Sequence, residues 1–270
     1  MSEFNAVQKS KSLNTRVSLA DDLRKLGLDK GMTVIVHSSL SSIGWVCGGP
    51  VSVVQALMEV ITNEGTIIMP THSGEYSDPS KWENPSVPKE WWTRIRETMP
   101  AFDQKLTPTR KMGKIVEVFR NHPEVIRSYH PTVSFAAWGR HADYITLNHS
   151  LDFGLGEQSP LARIYKLNGF VLLLGVGHDN NTSLHLAENR VTNKKYVEEG
   201  SPIFENGKRV WKVYKNIELD SDRFNRIGED YEREYKVTIG NVGVSESRLF
   251  NQRDCVDFAQ KWLEQSNHVL

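Results

Sequence analysis

Gly169-Phe-Val-Leu-Leu-Leu-Gly175 is the stretch that most narrows what this chain can fold into. Consecutive apolar residues between two glycines leave no polar face for water, so the segment reads as a strand buried on both sides. It is the longest apolar run of the chain and far too short to span a membrane. It opens directly into Val176-Gly-His-Asp-Asn-Asn-Thr182 and then into Ser183-Leu-His-Leu-Ala-Glu-Asn-Arg190, whose pattern is helical. Asn181 or Thr182 is placed to cap that helix.

A second unit of the same kind lies upstream. Leu19, Leu23 and Leu26 share one helical face behind Ser18, read as the N-cap, and Gly27 ends the helix. Met32 to Val36 is an apolar, β-branched run that predicts another buried strand, and it leads into the polar loop His37-Ser-Ser-Leu. Gly44-Trp-Val-Cys-Gly-Gly-Pro50, a helical pattern over Val51 to Ile61, and a strand at Thr66 to Met69 follow. Strand, glycine loop, helix, strand is a βαβ unit. The expectation is an α/β fold: a central mixed sheet flanked by helices in αβα layers, forming a single domain over residues 1–270. Residues 72–108, rich in Pro, Trp and charge, form a long inserted loop. Helices are predicted to start at Gly113 and to cover Asp220 to Tyr235 and Asp254 to Glu264, with a strand after His130. A smaller antiparallel β element is expected at Lys208 to Ile217.

Lys and Arg together number 33, as do Asp and Glu, so the whole-chain charge gives no reason to expect nucleic acid or an anionic membrane as partner. Cys47 and Cys255 are far apart with no CxxC spacing, which reads as two reduced thiols and no zinc site. The polar opening MSEFNAVQKSKS lacks the apolar core of a signal peptide. A soluble, cytoplasmic protein is expected, and the aromatic residues of the insertion offer a surface for a homodimer.

His185 and Glu188, spaced i and i+3 on the predicted helix, share a face. A carboxylate beside an imidazole orients the ring and favours its taking a proton, as a general base must. The same spacing suits an ordinary helix salt bridge, and the residues alone leave both readings open. Gly44 to Gly49, after a strand and before a helix, let backbone N–H groups approach phosphate. Chain reversal alone would also use those glycines. Neither G-x-G-x-x-G nor G-x-x-x-x-G-K-[ST] is present, and neither is a G-x-S-x-G nucleophile elbow. Arg110 or Lys111 could pair with a ligand phosphate, and His130 with Ser134 could make a polar contact near a strand.

The ordered segments VHSSLSSIGWVCGGP, TIIMPTHS, TPTRKMGKIVEVFR, SYHPTVSFAAWG, GEQSPLARIY and LLLGVGHDNNTSLHLAE resemble the aminoglycoside N(3)-acetyltransferase family, which is unrelated in sequence to the GNAT enzymes. The resemblance implies transfer of acetyl from acetyl-coenzyme A to an amine of an aminocyclitol ring, without metal. It implies His185 as general base and Glu188 as its partner. It assigns His37, Ser38, Ser39, Gly44, Val46, Gly48 and Gly49, extended by Thr109, Arg110, Met112, Gly113 and Ser159, to the coenzyme A site. Asp179, with Asp152, Glu157 and His72, would face a cationic acceptor. The chain departs from the family in the loop NHSLDFGLGEQSP, where Asp152 and Glu157 are the only acids. A non-antibiotic amine metabolite as acceptor, or a coenzyme A-binding module without turnover, are the alternatives.

Overall fold

The computed structural model describes residues 3–10 and 12–266. In chain order the elements are α1 (Glu3–Lys9), α2 (Arg16–Leu26), β1 (Thr33–Ser38), α3 (Leu40–Ile43), α4 (Gly49–Ile61) and β2 (Thr66–Pro70). The insertion holds short 3-10 turns and α5 (Trp92–Thr98). Then come α6 (Lys114–Arg120), β3 (Ile126–Arg127), β4 (Phe135–Gly139), α7 (Ala142–Thr146), α8 (Pro160–Lys166), β5 (Phe170–Leu174) and α9 (Leu184–Arg190). The last third contains β6 (Tyr196–Glu205), β7 (Lys208–Ile217), α10 (Phe224–Glu234), β8 (Thr238–Val242), β9 (Ser245–Asn251) and α11 (Gln252–Ser266).

The main sheet has seven strands among the described residues, ordered β3-β4-β2-β1-β5-β9-β8. β1 pairs in parallel with β2 and with β5, while β4 and β9 flank this trio antiparallel. Val171 to Leu174 of β5 are fully buried, and alternate residues feed two cores. Leu172 and Leu174 join α2, α4 and α6 on one face, while Val171 and Leu173 join α7, α8, α9, α10 and α11 on the other. These are the expected αβα layers.

Several local expectations change. Ser18 is not the N-cap of α2: Thr15 takes that place, and Ser18 sits three residues on in a reciprocal capping box. β1 runs through His37 and Ser38, so those residues stand on a strand end rather than in a free loop. Neither Asn181 nor Thr182 is the N-cap of α9: Ser183 takes that place, and Asn181 Oδ1 accepts the Ser183 N–H at 3.2 Å. Lys208–Ile217 is only half of its element: it pairs along its whole length with Tyr196–Glu205 around a turn at Asn206 and Gly207. β8 and β9 carry no prediction at all. β9 alternates Ser245, Ser247 and Leu249 inward, and small serines give a weak apolar signal.

β5 sits between two strands and two cores, so a truncation there has little room to relax. Leu173→Ala is expected to lower the unfolding free energy by about 2–5 kcal/mol, read from urea denaturation at unchanged m-value.

Candidate active site

Three parallel strands end at one edge of the sheet. β1 finishes at His37 and Ser38, β2 leads into Thr71 and His72, and β5 leads into the loop that enters α9. The exits of β1 and β5 are joined directly, the Ser39 N–H donating to the Leu174 carbonyl at 3.1 Å.

His185 lies in the first turn of α9 and Glu188 one turn on. The His185 Nδ1–H donates to Glu188 Oε2 at 2.6 Å, and the two side chains are 16% and 7% exposed. The other carboxylate oxygen, Oε1, accepts the backbone N–H of Asp220 at 3.0 Å. An ionised carboxylate only accepts, so Nδ1 carries a hydrogen, and in the neutral ring the lone pair is on Nε2. Phe224 packs on the ring at 4.8 Å between centroids. His185, Phe224, His37, Ser38, Asp179 and Thr182 line a cavity of about 200 Å³.

Ser38, Lys111, Met112 and Asn180 border both this cavity and a groove of about 710 Å³. Ser39, Gly44, Val46, Gly49 and Gly113 form much of the groove. Gly48 and Gly49 take φ of 79° and 57°, which glycine adopts without strain. They turn the chain into α4, whose 13 residues bring the positive end of a helix dipole to the groove at Gly49 and Pro50. Lys111 and Lys114 add cations, and the buried Ser38 hydroxyl has no protein partner. Donors and cations of this kind suit a phosphorylated ligand.

A recess of about 510 Å³, lined by His72, Glu75, Trp82 and Arg110, meets Lys111 and Met112 from the other side. Lys111 therefore borders all three spaces, and its φ of 60° is left-handed backbone at a residue with a side chain. The Arg110-Lys111 pair was the sequence signal for it.

Other expected residues stand elsewhere. Asp152 Oδ1 accepts the Lys215 N–H at 2.7 Å, Glu157 pairs with Arg190 at 2.6 Å, and both border a separate pocket with Asn189 and Lys194. Of the four residues expected to face the acceptor, Asp179 alone lines the His185 cavity, and His72 lies in the adjoining recess. Ser159 is buried as the N-cap of α8 and borders none of the three spaces. Thr109 turns to Glu117, its N–H donating to Oε1 at 2.9 Å, and Arg110 donates to the Asn84 carbonyl at 3.2 Å. His37 belongs to the cavity rather than the groove.

Sequence reading missed Arg127. It is 5% exposed and donates to the carbonyls of Thr71 and Thr107 and the hydroxyls of Ser73 and Ser134. It thus ties the loop carrying His72 to the segment leading into Thr109–Gly113. Burial lowers its pKa to about 10. Nothing in Val125-Ile-Arg-Ser-Tyr129 signals this role, since its partners are mostly backbone atoms far away in sequence.

Five histidines are held below their ordinary pKa, His178 in the 177–180 loop among them. Burial, and then neighbouring His185, push His37 and His72 each down to about 3. Burial pushes His149 down to about 4, and burial followed by His149 holds His130 well below the ordinary range. The rings of His130 and His149 lie 4.8 Å apart in fixed tautomers. His149 Nε2–H donates to the Gly154 carbonyl at 2.6 Å while its Nδ1 accepts the Ser128 hydroxyl at 2.9 Å. His130 Nδ1 accepts the Val133 N–H at 3.1 Å, and its Nε2–H donates to the Leu151 carbonyl at 3.3 Å.

The chemistry open to a lone-pair nitrogen beside a groove for a phosphorylated ligand includes group transfer, and an acyltransferase is the class to which this chain belongs. More narrowly, it is a member of the aminoglycoside 3-N-acetyltransferase family, whose sequence pattern matches residues 35–264. It is 54% identical over 249 residues, 92% of each chain, to the SPbeta prophage-derived aminoglycoside N(3′)-acetyltransferase-like protein YokD of Bacillus subtilis. The crystal structure of YokD superposes with a TM-score of 0.97 over 98% of both chains, at 51% identity. Aminoglycoside N(3)-acetyltransferase VII of Streptomyces paromomycinus is 34% identical over 98% of this chain and 96% of that one. The structure of AAC-IIIb in binary complex with CoASH matches with a TM-score of 0.85 at 30% identity, covering 94% of this chain and 98% of that one. No helix among the described residues is long and apolar enough to cross a membrane.

The neutral histidines set the acid stability. Their folded pKa values lie below the unfolded value of about 6.5, so the unfolded chain binds the extra protons and stability falls as pH drops below that value. His37, His72, His130 and His149 should each remove about 1.4 kcal/mol per pH unit across this window. Urea midpoints measured at pH 7.5, 6 and 5 are expected to drop steeply below pH 6.5, with an uptake approaching about five protons on unfolding at pH 5, His178 included. A flat profile to pH 5 would contradict neutral burial.

Proposed function

We propose that this chain transfers the acetyl group of acetyl-coenzyme A directly to an amino group of an aminoglycoside, with His185 as general base and Glu188 as its orienting partner. The observation that carries this is the 2.6 Å bond from His185 Nδ1–H to Glu188, which leaves Nε2 in the cavity that adjoins the glycine groove. An aminoglycoside amine is mostly protonated at neutral pH and must shed a proton before it can attack. His185 Nε2 takes that proton, the freed lone pair forms the new bond to the thioester carbonyl carbon, and the tetrahedral intermediate breaks its C–S bond as its now cationic nitrogen loses a second proton, which neutralises the departing coenzyme A thiolate. Ser39, Gly44, Val46, Gly49, Met112 and Gly113 hold the coenzyme, with Lys111 and Lys114 toward its phosphates. Asp179 faces the cationic acceptor. Neither cysteine serves as a nucleophile in this reading: Cys255 is buried with its thiol pushed up to about 12, and Cys47 borders neither cavity nor groove.

The thin acid lining favours a second reading, the same chemistry on a smaller amine metabolite. Among the described residues that line the cavity Asp179 is the one carboxylate, and Lys111 lines the same cavity. A strongly polycationic acceptor gains less from such walls than from an acidic pocket.

A thiol-release assay with acetyl-coenzyme A against a panel of aminoglycosides and small amines tests both readings. His185→Ala is expected to reduce turnover by about 10²–10⁴-fold. Equal release by mutant and wild type would remove His185 from the mechanism.

A further inference from the structure

Between β5 and α9 the chain carries a histidine that borders neither the reaction cavity nor the groove. His178 is 4% exposed. Its ring lies 5.4 Å from that of Phe250. It also lies against the backbone of Gly228 in α10, where a Cβ would fall 2.0 Å from the imidazole. Nε2 meets Glu232 Oε1 at 2.9 Å, and the same oxygen accepts Arg248 Nε–H at 2.6 Å. One residue on, the Asp179 N–H donates to Asn225 Oδ1 at 2.9 Å. Asn225, Gly228 and Glu232 are spaced i, i+3, i+7, so a single face of α10 receives two successive loop residues.

Two unfavourable choices meet at this contact. A glycine inside a helix is less favourable than alanine. The second ring nitrogen, Nδ1, is buried without a hydrogen-bond partner among the described residues, which is unfavourable too. Burial holds the ring below its ordinary pKa against the pull of Glu232, so the neutral ring spends its one N–H on Glu232. What the contact secures is the next stretch of chain, because Asp179 and Asn180 line the reaction cavity. The same helix also places Phe224 on the His185 ring.

We propose that His178 is a positioning residue: seated on Gly228 and tied through Glu232 to Arg248, it locks the 177–180 loop to α10 and sets where the Asp179 carboxylate stands relative to His185. The part played by Asp179 toward the acceptor rests on the function proposed above.

The test compares wild type with H178A, H178Q and G228A in steady-state acetylation of sisomicin and in backbone hydrogen exchange across residues 176–183. Misplacing a binding group by about 1 Å costs up to ~100-fold, so H178A and G228A are expected to raise the KM for sisomicin about tenfold or more, with the KM for acetyl-coenzyme A within about twofold of wild type. Exchange at Asp179 and Asn180 speeds up in both variants. H178Q, which keeps an N–H within reach of Glu232, recovers most of both effects. The proposal is overturned if H178A and G228A leave exchange at Asp179 and Asn180 at the wild-type rate. It is equally overturned if their only effect is a lower urea midpoint with both KM values unchanged. Should wild type release no coenzyme A with sisomicin, the acceptor reading fails by itself, and the exchange rates still decide the role of His178.

Discussion

Parallel pairing of β1 with β2 on one side and β5 on the other is the constraint on which the site depends. Ile35 stands opposite Ile68, and Ser38 opposite Leu174, so the three strands point the same way and finish together. The chain leaves β1 toward β2 on one side, while β5 arrives on the other. Connections diverge at such a switch point, and a crevice opens outside the carboxyl ends of the strands. His37 at the end of β1, the loop after β2 with His72, and the loop after β5 that leads to His185 are the three lips of that crevice. The cost of this arrangement is that β1 and β5 must be buried on both faces, which two layers of helices provide.

Burial at the strand ends also decides the local electrostatics. His37 and His72 stand neutral around the cavity and its recess, because a charged imidazole there would lose more in desolvation than it gains. Among these three histidines His185 alone has a carboxylate partner. Glu188 is itself fixed at its other oxygen by the Asp220 N–H, so it cannot swing to water without breaking a backbone bond. Arg127 is a deeply buried cation near this region. Its guanidinium is met mainly by carbonyls and hydroxyls of the loops it binds together, which makes it a structural brace rather than an anion site.

The parts of this design that were legible in the sequence are those encoded locally. The apolar run at Phe170–Leu174 could hardly be anything but a central strand, and the i, i+3 spacing of His185 and Glu188 survives as a real hydrogen bond. The glycines at 44–49 likewise announce a turn before a helix. Non-local pairings leave no such trace. Asp220 reaches Glu188 through a backbone N–H, which no side-chain pattern can encode, and Phe224 reads as one more core aromatic. Asp152 and Glu157 looked suited to a cation by charge alone, yet a backbone N–H and Arg190 already occupy them. β8 and β9 escaped notice because β8 buries Val242 alone and β9 opens with serines at its first two inward positions, which leaves no clear apolar period before Leu249 and Phe250.

This division between local and non-local encoding has a consequence for how acceptors are chosen. Much of the groove comes from residues 37–49, and His185 and Glu188 from residues 175–188, two stretches whose relative placement is fixed by adjacent parallel strands, while residues 111–115 also line the groove. The walls that an acceptor meets come from farther afield: the recess from residues 72–112, and the far side of the cavity from α10 and the turn before it. Those walls are tied to the site they surround: Lys111 and Met112 border the groove as well as the recess, the Asp220 N–H holds Glu188, and Phe224 packs on the His185 ring. In this chain those walls mix Asp179 and Glu75 with Lys111 and Arg110 rather than presenting acids alone. On the function proposed above, such a lining suits an acceptor with a modest positive charge and several hydroxyls better than one whose affinity comes only from a high density of ammonium groups.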